Sequence, residues 1–170
     1  MSARREVRHS DVGGAKLREV AAELATGVTV VTTVVDDYPH GCAANAVMSV
    51  SLAPPLMMVC LARTSSTHPM ISASGRFAIN VLPDTARARD LCSVFAGKHD
   101  HKFAGIGYDT GLTGAPLLTG TVAWFECVTD TIHDLGDHTA FVGRVVAAER
   151  RHGTPLIFHR GRLLSLTETR

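Results

Sequence analysis

The stretch HGCAANAVMSVSLAPPL, residues 40–56, has the character of a β-strand but is filled with small side chains. Its centre consists of Ala43, Ala44, Asn45 and Ala46, which bury little surface, and two prolines end it. Two interpretations fit this pattern. Either a neighbouring element covers an ordinary strand, or the surface is kept low so that a flat, polar ligand can lie on it.

Strand-like segments surround this stretch and recur to the end of the chain. They are short, rich in Val, Thr and Ile, and bounded by turn signals. Apolar residues at helical spacing predict one helix over residues 14–25 and a second between Thr85 and Gly97, and the five glycines of residues 97–116 predict a long loop. We therefore predict a mainly β chain with short helices, in which six or seven strands close into a β-barrel because closure removes exposed sheet edges. The predicted strands are residues 27–35, 42–52, 56–62, 76–82, 121–133, 138–150 and 155–166.

The composition indicates one cytoplasmic domain that handles small molecules or other protein chains. A chain of 170 residues builds one self-sufficient core, and with a net charge of +1 it has no field that points to nucleic acid or an anionic membrane. Its longest apolar run is far shorter than the roughly 20 residues that span a bilayer, and the N-terminus lacks a secretory signal. We predict a flexible segment over residues 1–12 and one domain over residues 13–170. The four scattered cysteines, without a CxxC pair, are typical of a reducing compartment.

The segment RTSSTHPMISASG, residues 63–75, predicts a short helix with hydroxyl side chains at its start. Ser65, Ser66 and Thr67 supply N-cap hydroxyls, and Gly75 ends the helix. The backbone N–H groups and the dipole at such a start favour anions. This segment is either an ordinary capped helix or the phosphate site of a ligand that lies on the small-residue strand.

The segment KHDHK raises the question of a metal. The spacing of His99 and His101 matches no structural zinc pattern, and the flanking Lys98 and Lys102 repel a cation, so we predict no metal. The two lysines either meet a phosphate or a dinucleotide, or are solvated charges on a glycine-rich loop. A covalent hydrolase is not indicated, because the chain has no GxSxG motif.

Two motifs near the C-terminus place basic groups at turns. GDHTAFVGRV, residues 136–145, sets Asp137 and His138 just before a strand, and FHRGRL, residues 158–163, sets two arginines around Gly161. The histidine is either solvated or catalytic. The second motif is either a surface basic patch or a binding site.

Seven separated segments agree in order and spacing with one known family. They are ATGVTVVTT, HGCAANAVMSVSLAPPLMMVCL, SSTHPMISASGRFAINVL, FAGKHDHKF, GAPLLTGTVAWFEC, GDHTAFVGRV and PLIFHRGR. Through them the chain resembles the flavin reductases, the reductase partners of two-component flavin-dependent monooxygenases. The resemblance implies an FMN-binding split β-barrel of the Greek-key type, usually a homodimer. It also implies that NADH or NADPH reduces FMN or FAD, and that the reduced flavin leaves for a separate monooxygenase component.

The resemblance assigns roles to residues as well. The low strand surface suits the isoalloxazine ring, the helix hydroxyls suit the flavin phosphate, and His138 and the arginines match the nicotinamide side, where Arg160 or Arg162 meets a pyrophosphate. Hydride transfer needs no protein acid or base at the carbon, so the protein stacks two rings at reacting distance, and His138 is the catalytic candidate. The residues implied to bind the cofactors are Ala43, Ala44, Asn45, Ala46, Ser49, Val50, Ser51, Cys60, Leu61, Ala62, Ser65, Ser66, Thr67, Phe95, Lys98, Phe103, His138, His159, Arg160, Gly161 and Arg162.

Two departures from the family pattern accompany the resemblance. Many relatives carry threonine in place of Ala43 and tyrosine in place of Leu163. The first departure is expected to loosen flavin binding, and the second concerns how the dinucleotide stacks. Two alternative functions are a flavin-binding split-barrel protein without reductase turnover and an enzyme similar to the pyridoxamine phosphate oxidases. The presence of both GDH and HRGR favours the reductase over either alternative.

Overall fold

The computed structural model describes residues 12–99 and 101–166, so all but one residue of the predicted flexible N-terminus lies outside the described residues. Three helices occur in this part of the chain, α1 (Gly14–Ala21), α2 (Thr67–Ser74) and α3 (Ala86–Ala96). None of them has the length and apolar character needed to cross a lipid bilayer. The strands are β1 (Thr26–Gly27), β2 (Thr29–Val35), β3 (Tyr38–Ala44), β4 (Val47–Leu52), β5 (Pro55–Ala62), β6 (Arg76–Val81), β7 (Tyr108–Thr110), β8 (Pro116–Leu118), β9 (Ala123–Leu135), β10 (His138–Arg150), β11 (Ile157–His159) and β12 (Arg162–Leu164).

Seven strands form one antiparallel sheet in the order β3-β2-β6-β9-β10-β5-β4. Its two edge strands are consecutive in the chain and are joined by only Asn45 and Ala46. The peptide units between Ala44 and Val47 span at most about 11 Å, so the sheet must curl until its edges meet at that corner. A hydrogen bond of 2.9 Å from the Cys60 N–H to the Ala46 carbonyl continues the pairing of β5 with β4 into the corner. Two small sheets, β1-β11-β12 and β7-β8, flank the curled sheet.

The apolar run in β2 is explained by burial on both of its faces. Neighbouring side chains in a strand point to opposite faces. Val31 joins the cluster inside the curled sheet, with Phe77 and Phe141, and Val30 joins a second cluster that includes Phe95 of α3. Both valines are fully buried. The helix α3 therefore packs on the outside of the sheet, close to the edge strand β3.

The curl of the long β9-β10 hairpin depends on irregular pairing and on Gly143. The register shifts between Val142 and Gly143 and again between Val145 and Ala147, and such bulges increase the local twist. A Cβ at Gly143 would lie 2.6 Å from the Phe77 ring and 2.7 Å from the Cβ of Cys127. Glycine is therefore required where β10 crosses the inner core.

The loop between β7 and β8 is held by a buried carboxylate. Glu126 of β9 is almost completely buried and accepts hydrogen bonds from the Leu112 N–H at 3.0 Å and from the N–H and hydroxyl of Thr113, both at 2.7 Å. These bonds satisfy the carboxylate and fix part of the long glycine-rich segment.

The helix after Thr85 is confirmed, because the Thr85 hydroxyl accepts a hydrogen bond from the Ala88 N–H and Gly97 follows the last turn. The prediction of one strand over residues 42–52 is wrong, since the chain changes from one sheet edge to the other at residues 45–46. The N-terminal helix is shorter than predicted and ends at Ala21.

Candidate functional site

A cavity of about 490 Å³ opens where the ends of β3 and β5 meet the start of α2, the end of α3 and the start of β10. Its volume lies within the range of small-molecule sites. The residues that line it are Cys42, Ala43, Ala44, Asn45, Ala46, Cys60, Leu61, Ala62, Thr64, Ser65, Ser66, Phe95, Ala96, Gly97, Lys98, His99, Lys102 and His138.

The floor of the cavity is the corner that joins the two sheet edges. Ala43, Ala44 and Ala46 leave it low, because a methyl group projects little above the backbone. The Asn45 amide nitrogen donates to the Thr26 hydroxyl of β1 at 3.2 Å, which fixes its side chain toward the small sheet. A flat ring can therefore lie against this corner without displacing a large side chain.

The start of α2 forms one wall, although its cap differs from the predicted one. Ser66 has helical dihedral angles, φ −63° and ψ −22°, and its side chain makes no cap hydrogen bond. The Ser65 hydroxyl accepts instead, from the Thr67 N–H at 3.3 Å. The end of the helix is as predicted, with Gly75 in the left-handed region at φ 65°. Ser66 is exposed and lines the cavity, where its hydroxyl can meet an anionic group.

The end of α3 and the following loop form the opposite wall. Phe95 is buried and packs on Gly41, where a Cβ would lie 2.9 Å from its ring. The Lys102 ammonium donates to the carbonyl oxygens of Gly41 and Phe95, each at 3.2 Å. These bonds tie the loop to β3 and hold a positive charge at the wall, next to the exposed Lys98.

The electrostatics of the cavity favour an anion. Its described lining contains two lysines and two histidines and no carboxylate. Burial raises the pKa of the Cys42 thiol, an effect that hydrogen bonds with Thr67 and Ser65 oppose, and burial also raises the pKa of the Cys60 thiol. Both sulfurs are therefore neutral apolar surface at physiological pH and not nucleophiles.

His138 stands at the mouth of the cavity, at the first position of β10 and opposite Ala62 of β5. Its Nδ1 lies 2.8 Å from the Asp137 carboxylate, and its side chain is 44% exposed. The hydrogen bond with His138 holds the pKa of Asp137 below its usual range. When Nδ1 donates to Asp137 in the neutral ring, Nε2 is an acceptor that can face a ligand.

The next residue is held by a chain of polar contacts. The Thr139 hydroxyl lies 2.9 Å from Nε2 of His68 in α2 and 3.1 Å from the Asp134 carboxylate. The start of β10 is thereby attached to the helix that forms the wall of the cavity.

The HRGR segment lies in the β11-β12 turn and is absent from the cavity lining. Arg160 has φ 49°, and its guanidinium makes a two-pronged contact with Glu23, with N–O distances of 2.7 to 2.9 Å. Its backbone N–H donates to the Ala22 carbonyl at 3.1 Å. The hydrogen bond from Arg160 holds the pKa of Glu23 below its usual range. We call this contact the Glu23–Arg160 clamp.

The structure therefore brings most of the predicted site residues together. The predicted residues in the lining are Ala43, Ala44, Asn45, Ala46, Cys60, Leu61, Ala62, Ser65, Ser66, Phe95, Lys98 and His138. Those outside it are Ser49, Val50 and Ser51 on β4, Thr67 and Phe103, which line an adjoining cavity, and His159, Arg160, Gly161 and Arg162.

Of the other lining residues, Lys102 is one of the two lysines that the KHDHK motif singled out, and Cys42, Thr64, Ala96, Gly97 and His99 were missed as ligand-binding candidates. Each is a direct neighbour of a predicted residue, so widening each motif by one or two positions finds them. Within the described ranges, no group of three or more His, Cys, Asp or Glu side chains could hold a metal ion.

Comparison with known proteins gives consistent matches over nearly the whole chain. A family model described as a flavin reductase like domain matches residues 21–167. The chain is 38% identical over 147 residues to the flavin-dependent monooxygenase reductase subunit HsaB of Rhodococcus jostii, covering 86% of this chain and 74% of that protein. It is 39% identical over 144 residues to the FMN reductase (NADH) SmoA of Agrobacterium fabrum, covering 85% and 81%. The solved structure of the NADH:FAD oxidoreductase SgcE6 of Streptomyces globisporus superposes with a TM-score of 0.85 at 32% identity and covers 96% of each chain.

Proposed function

The chain belongs to the family of flavin reductase-like domains, and from that premise we propose that its cavity binds the flavin that NADH or NADPH reduces. The enzyme is an NAD(P)H-dependent flavin reductase with the mainly β fold of that family, and it supplies reduced flavin to a monooxygenase component. Both cofactor predictions, a flavin and a nicotinamide dinucleotide, are confirmed at this level.

One observation carries the assignment of the site. A single cavity joins a low floor of small side chains, a helix start with serine hydroxyls, two lysine ammonium groups and an oriented histidine. These are the donors and surfaces that a flat ring with a phosphate tail requires. The absence of a carboxylate from the described lining supports the same ligand, since a phosphate is repelled by one.

Each wall has a separate task in this proposal. The floor at residues 43–46 supports the ring, and Ser65 and Ser66 hold the phosphate together with Lys98 and Lys102. The flavin supplies the hydride-accepting chemistry, so the protein's contribution is position and exclusion of water. The buried Phe95 and Leu61 keep two sides of the cavity apolar.

His138 positions the nicotinamide in this proposal. It lies at the mouth, where a second ring can stack on the outer face of the first, and Asp137 sets its orientation. An imidazole there stacks on the nicotinamide or hydrogen-bonds its carboxamide. Displacement of a reacting group by about 1 Å can cost on the order of 100-fold in rate, which is why a positioning side chain matters for hydride transfer.

Titration of the purified protein with FMN and with FAD tests the site, followed by NADH and NADPH oxidation with each flavin. We expect reversible binding, with part of the flavin lost on desalting, because the ring faces an open floor and two of the groups assigned to the phosphate, Ser66 and Lys98, are exposed. Covalently attached flavin, or no quenching of flavin fluorescence, would contradict the proposal. Binding without nucleotide oxidation would indicate a flavin carrier instead.

We further propose that the enzyme is a homodimer, because large apolar side chains of the edge strand β4 and of α1 are exposed to solvent. Met48 and Leu52 of the edge strand β4 are 51% and 89% exposed, and Leu17 and Val20 of α1 are 60% and 54% exposed. An obligate interface buries on the order of 2,000 Å² or more, and this surface offers apolar area for it.

Light scattering tests the dimer. The parent is expected to have twice the mass of the chain, and the pair Met48→Lys and Leu52→Lys is expected to shift it toward monomer. Leu112→Lys is the control, since Leu112 is 79% exposed in the loop between β7 and β8. A monomeric parent at working concentration would contradict the proposal.

A cytoplasmic location is also proposed, and it is supported by the four unpaired cysteines.

A further inference from the structure

The residue that follows His138 belongs to a chain of polar side chains that ends on α2. The Arg63 guanidinium lies 3.3 Å from the Asp134 carboxylate. The Thr139 hydroxyl lies 3.1 Å from the same carboxylate and 2.9 Å from Nε2 of His68. Both His68 and Thr139 lie outside the lining of the first cavity, the one of about 490 Å³. Any effect they have on the reaction must therefore pass through a neighbour.

The hydrogen bonds of this chain run in one direction. A carboxylate accepts, so the Thr139 hydroxyl donates its single proton to Asp134. The same hydroxyl must then accept from His68, and Nε2 of that ring carries a proton whether the ring is neutral or charged. Thr139 is almost completely buried, so its hydroxyl depends on these two partners.

His68 is itself fixed on the helix that forms the cavity wall. Its ring makes an edge contact with the fully buried Phe141, with 5.3 Å between the ring centroids. Its backbone N–H donates to the Ser65 carbonyl at 3.1 Å, in the turn that begins α2. The imidazole is therefore a fixed connection between β10 and the helix start whose serine hydroxyls are assigned to the flavin phosphate.

The strand β10 passes this restraint on to His138. Neighbouring side chains of a strand point to opposite faces, so fixing the side chain of Thr139 also fixes the direction in which His138 points. The hydrogen bond between His138 and Asp137 lies in solvent, because the Asp137 side chain is 94% exposed, and such contacts contribute little. The buried bond of Thr139 is therefore the stronger of these two side-chain restraints.

We propose that His68 and Thr139 are positioning residues for the hydride transfer. Their hydrogen bond holds His138 in a set position relative to the start of α2. The nicotinamide that His138 orients then meets a flavin whose phosphate is bound by the same helix. This inference rests on the proposed function, since it uses the roles given there to His138, Ser65 and Ser66.

A double-mutant cycle between Thr139 and His138 tests the proposal. Thr139→Val removes the hydroxyl and keeps the branched shape, and it is expected to lower kcat/KM for NADH at least fivefold while the Kd of FMN stays within threefold. When His138 is already alanine, the same change is expected to lower kcat/KM less than twofold further, because the group to be positioned is gone. An equal loss in both backgrounds would overturn the proposal, and so would no loss in either.

Two variants test the hydrogen bond itself. His68→Leu breaks it from the other end, so its loss in kcat/KM is expected to match that of Thr139→Val within twofold. Thr139→Ser keeps the hydroxyl and is expected to stay within twofold of the parent. A Thr139→Ser enzyme as slow as Thr139→Val would overturn the proposal.

Thr121→Val is the matched control for damage to the fold. Thr121 is a buried threonine outside the lining of the first cavity, and its hydroxyl donates to the Leu118 carbonyl at 3.3 Å. Its replacement is expected to lower Tm as Thr139→Val does, but to leave kcat/KM unchanged. Equal kinetic losses in these two variants would show a general structural effect and overturn the positioning role.

The parent and His138→Ala keep this inference distinct from the proposed function. If the parent does not bind FMN, the proposed site falls. If the parent binds FMN and oxidises NADH but His138→Ala matches it, the role of His138 and this inference fall together, while the flavin site stands. If His138→Ala is slow and the cycle is additive, only the positioning role of His68 and Thr139 is wrong.

Discussion

The cavity wall and the β11-β12 turn both carry basic side chains that sequence motifs mark as binding groups, but they meet different surroundings. At the wall, Lys98 and Lys102 line a cavity, and the described part of its lining contains no carboxylate. At the turn, Arg160 is already held by Glu23 through two-pronged hydrogen bonds. Arg160 must leave Glu23 before it can bind an anionic ligand, whereas the described lining of the cavity holds no carboxylate that the two lysines would have to leave. Once the fold is known, KHDHK is therefore the better candidate for an anion-binding motif, and HRGR is the weaker one.

The largest effect is expected at the mouth of the cavity. His138→Ala is predicted to lower kcat/KM for the nicotinamide nucleotide by about 10-fold or more, about 1.4 kcal/mol of transition-state stabilisation, because it removes the positioning imidazole. Flavin affinity should stay within about threefold, since no phosphate contact is lost. Flavin titration and NADH oxidation on the same preparation measure both quantities.

His133→Ala provides the matched control for that variant. His133 is an exposed histidine on the same hairpin, hydrogen-bonded to Thr131 at 3.0 Å and outside the cavity lining. It should leave both quantities unchanged. Normal turnover in His138→Ala would show that the histidine is merely solvated, and lost flavin binding would show that the site is misplaced.

A smaller effect is expected at the turn. If the Glu23–Arg160 clamp stays closed during turnover, Arg160→Gln changes the KM for NADH by less than about threefold, because Arg160 is engaged within the chain. Steady-state kinetics measures the change, with Arg87→Gln as a control that lies outside the lining of the first cavity. A rise of tenfold or more would show that Arg160 leaves Glu23 for the dinucleotide, and the contrast between the two basic regions would disappear.

The smallest effect concerns stability. The contact with Arg160 lowers the pKa of Glu23, so its stabilising contribution is present above the ordinary glutamate pKa and is lost as pH falls through the lowered value. Glu23→Gln should lower Tm by less than about 3 °C at pH 7, because exposed ion pairs contribute little. The difference from the parent should shrink below about pH 4. A Tm difference that grows in acid would contradict this linkage.

Sequence patterns predicted the elements that depend on local signals. The α3 helix has its apolar period, a threonine cap and a terminal glycine, and each is visible in the sequence. The break between β3 and β4 was not predicted, because both strands are rich in small and apolar residues and nothing local marks the change from one sheet edge to the other.

Long-range pairings account for the other differences. Glu23 and Arg160 are 137 residues apart in the chain. Glu126 accepts hydrogen bonds from Thr113 because the fold places β9 next to the loop between β7 and β8. The apolar stripe of α1 predicts a helix that packs on the rest of the domain. Leu17 and Val20 are nevertheless exposed, so the pattern identifies the helix but not the surface against which it packs. Twelve of the residues that the family resemblance implies line one cavity, because they fall in four short segments that the fold brings together, residues 42–46, 60–66, 95–102 and His138.

The two-residue connection at Asn45 and Ala46 has a mechanical consequence. It fastens the first and last strands of the sheet to each other, so neither edge can fray from that corner without pulling on the opposite one. A ring bound at this corner would contact the ends of both edge strands and oppose the separation of either one. The floor of the cavity is therefore also the connection that keeps the two edges of the curled sheet together.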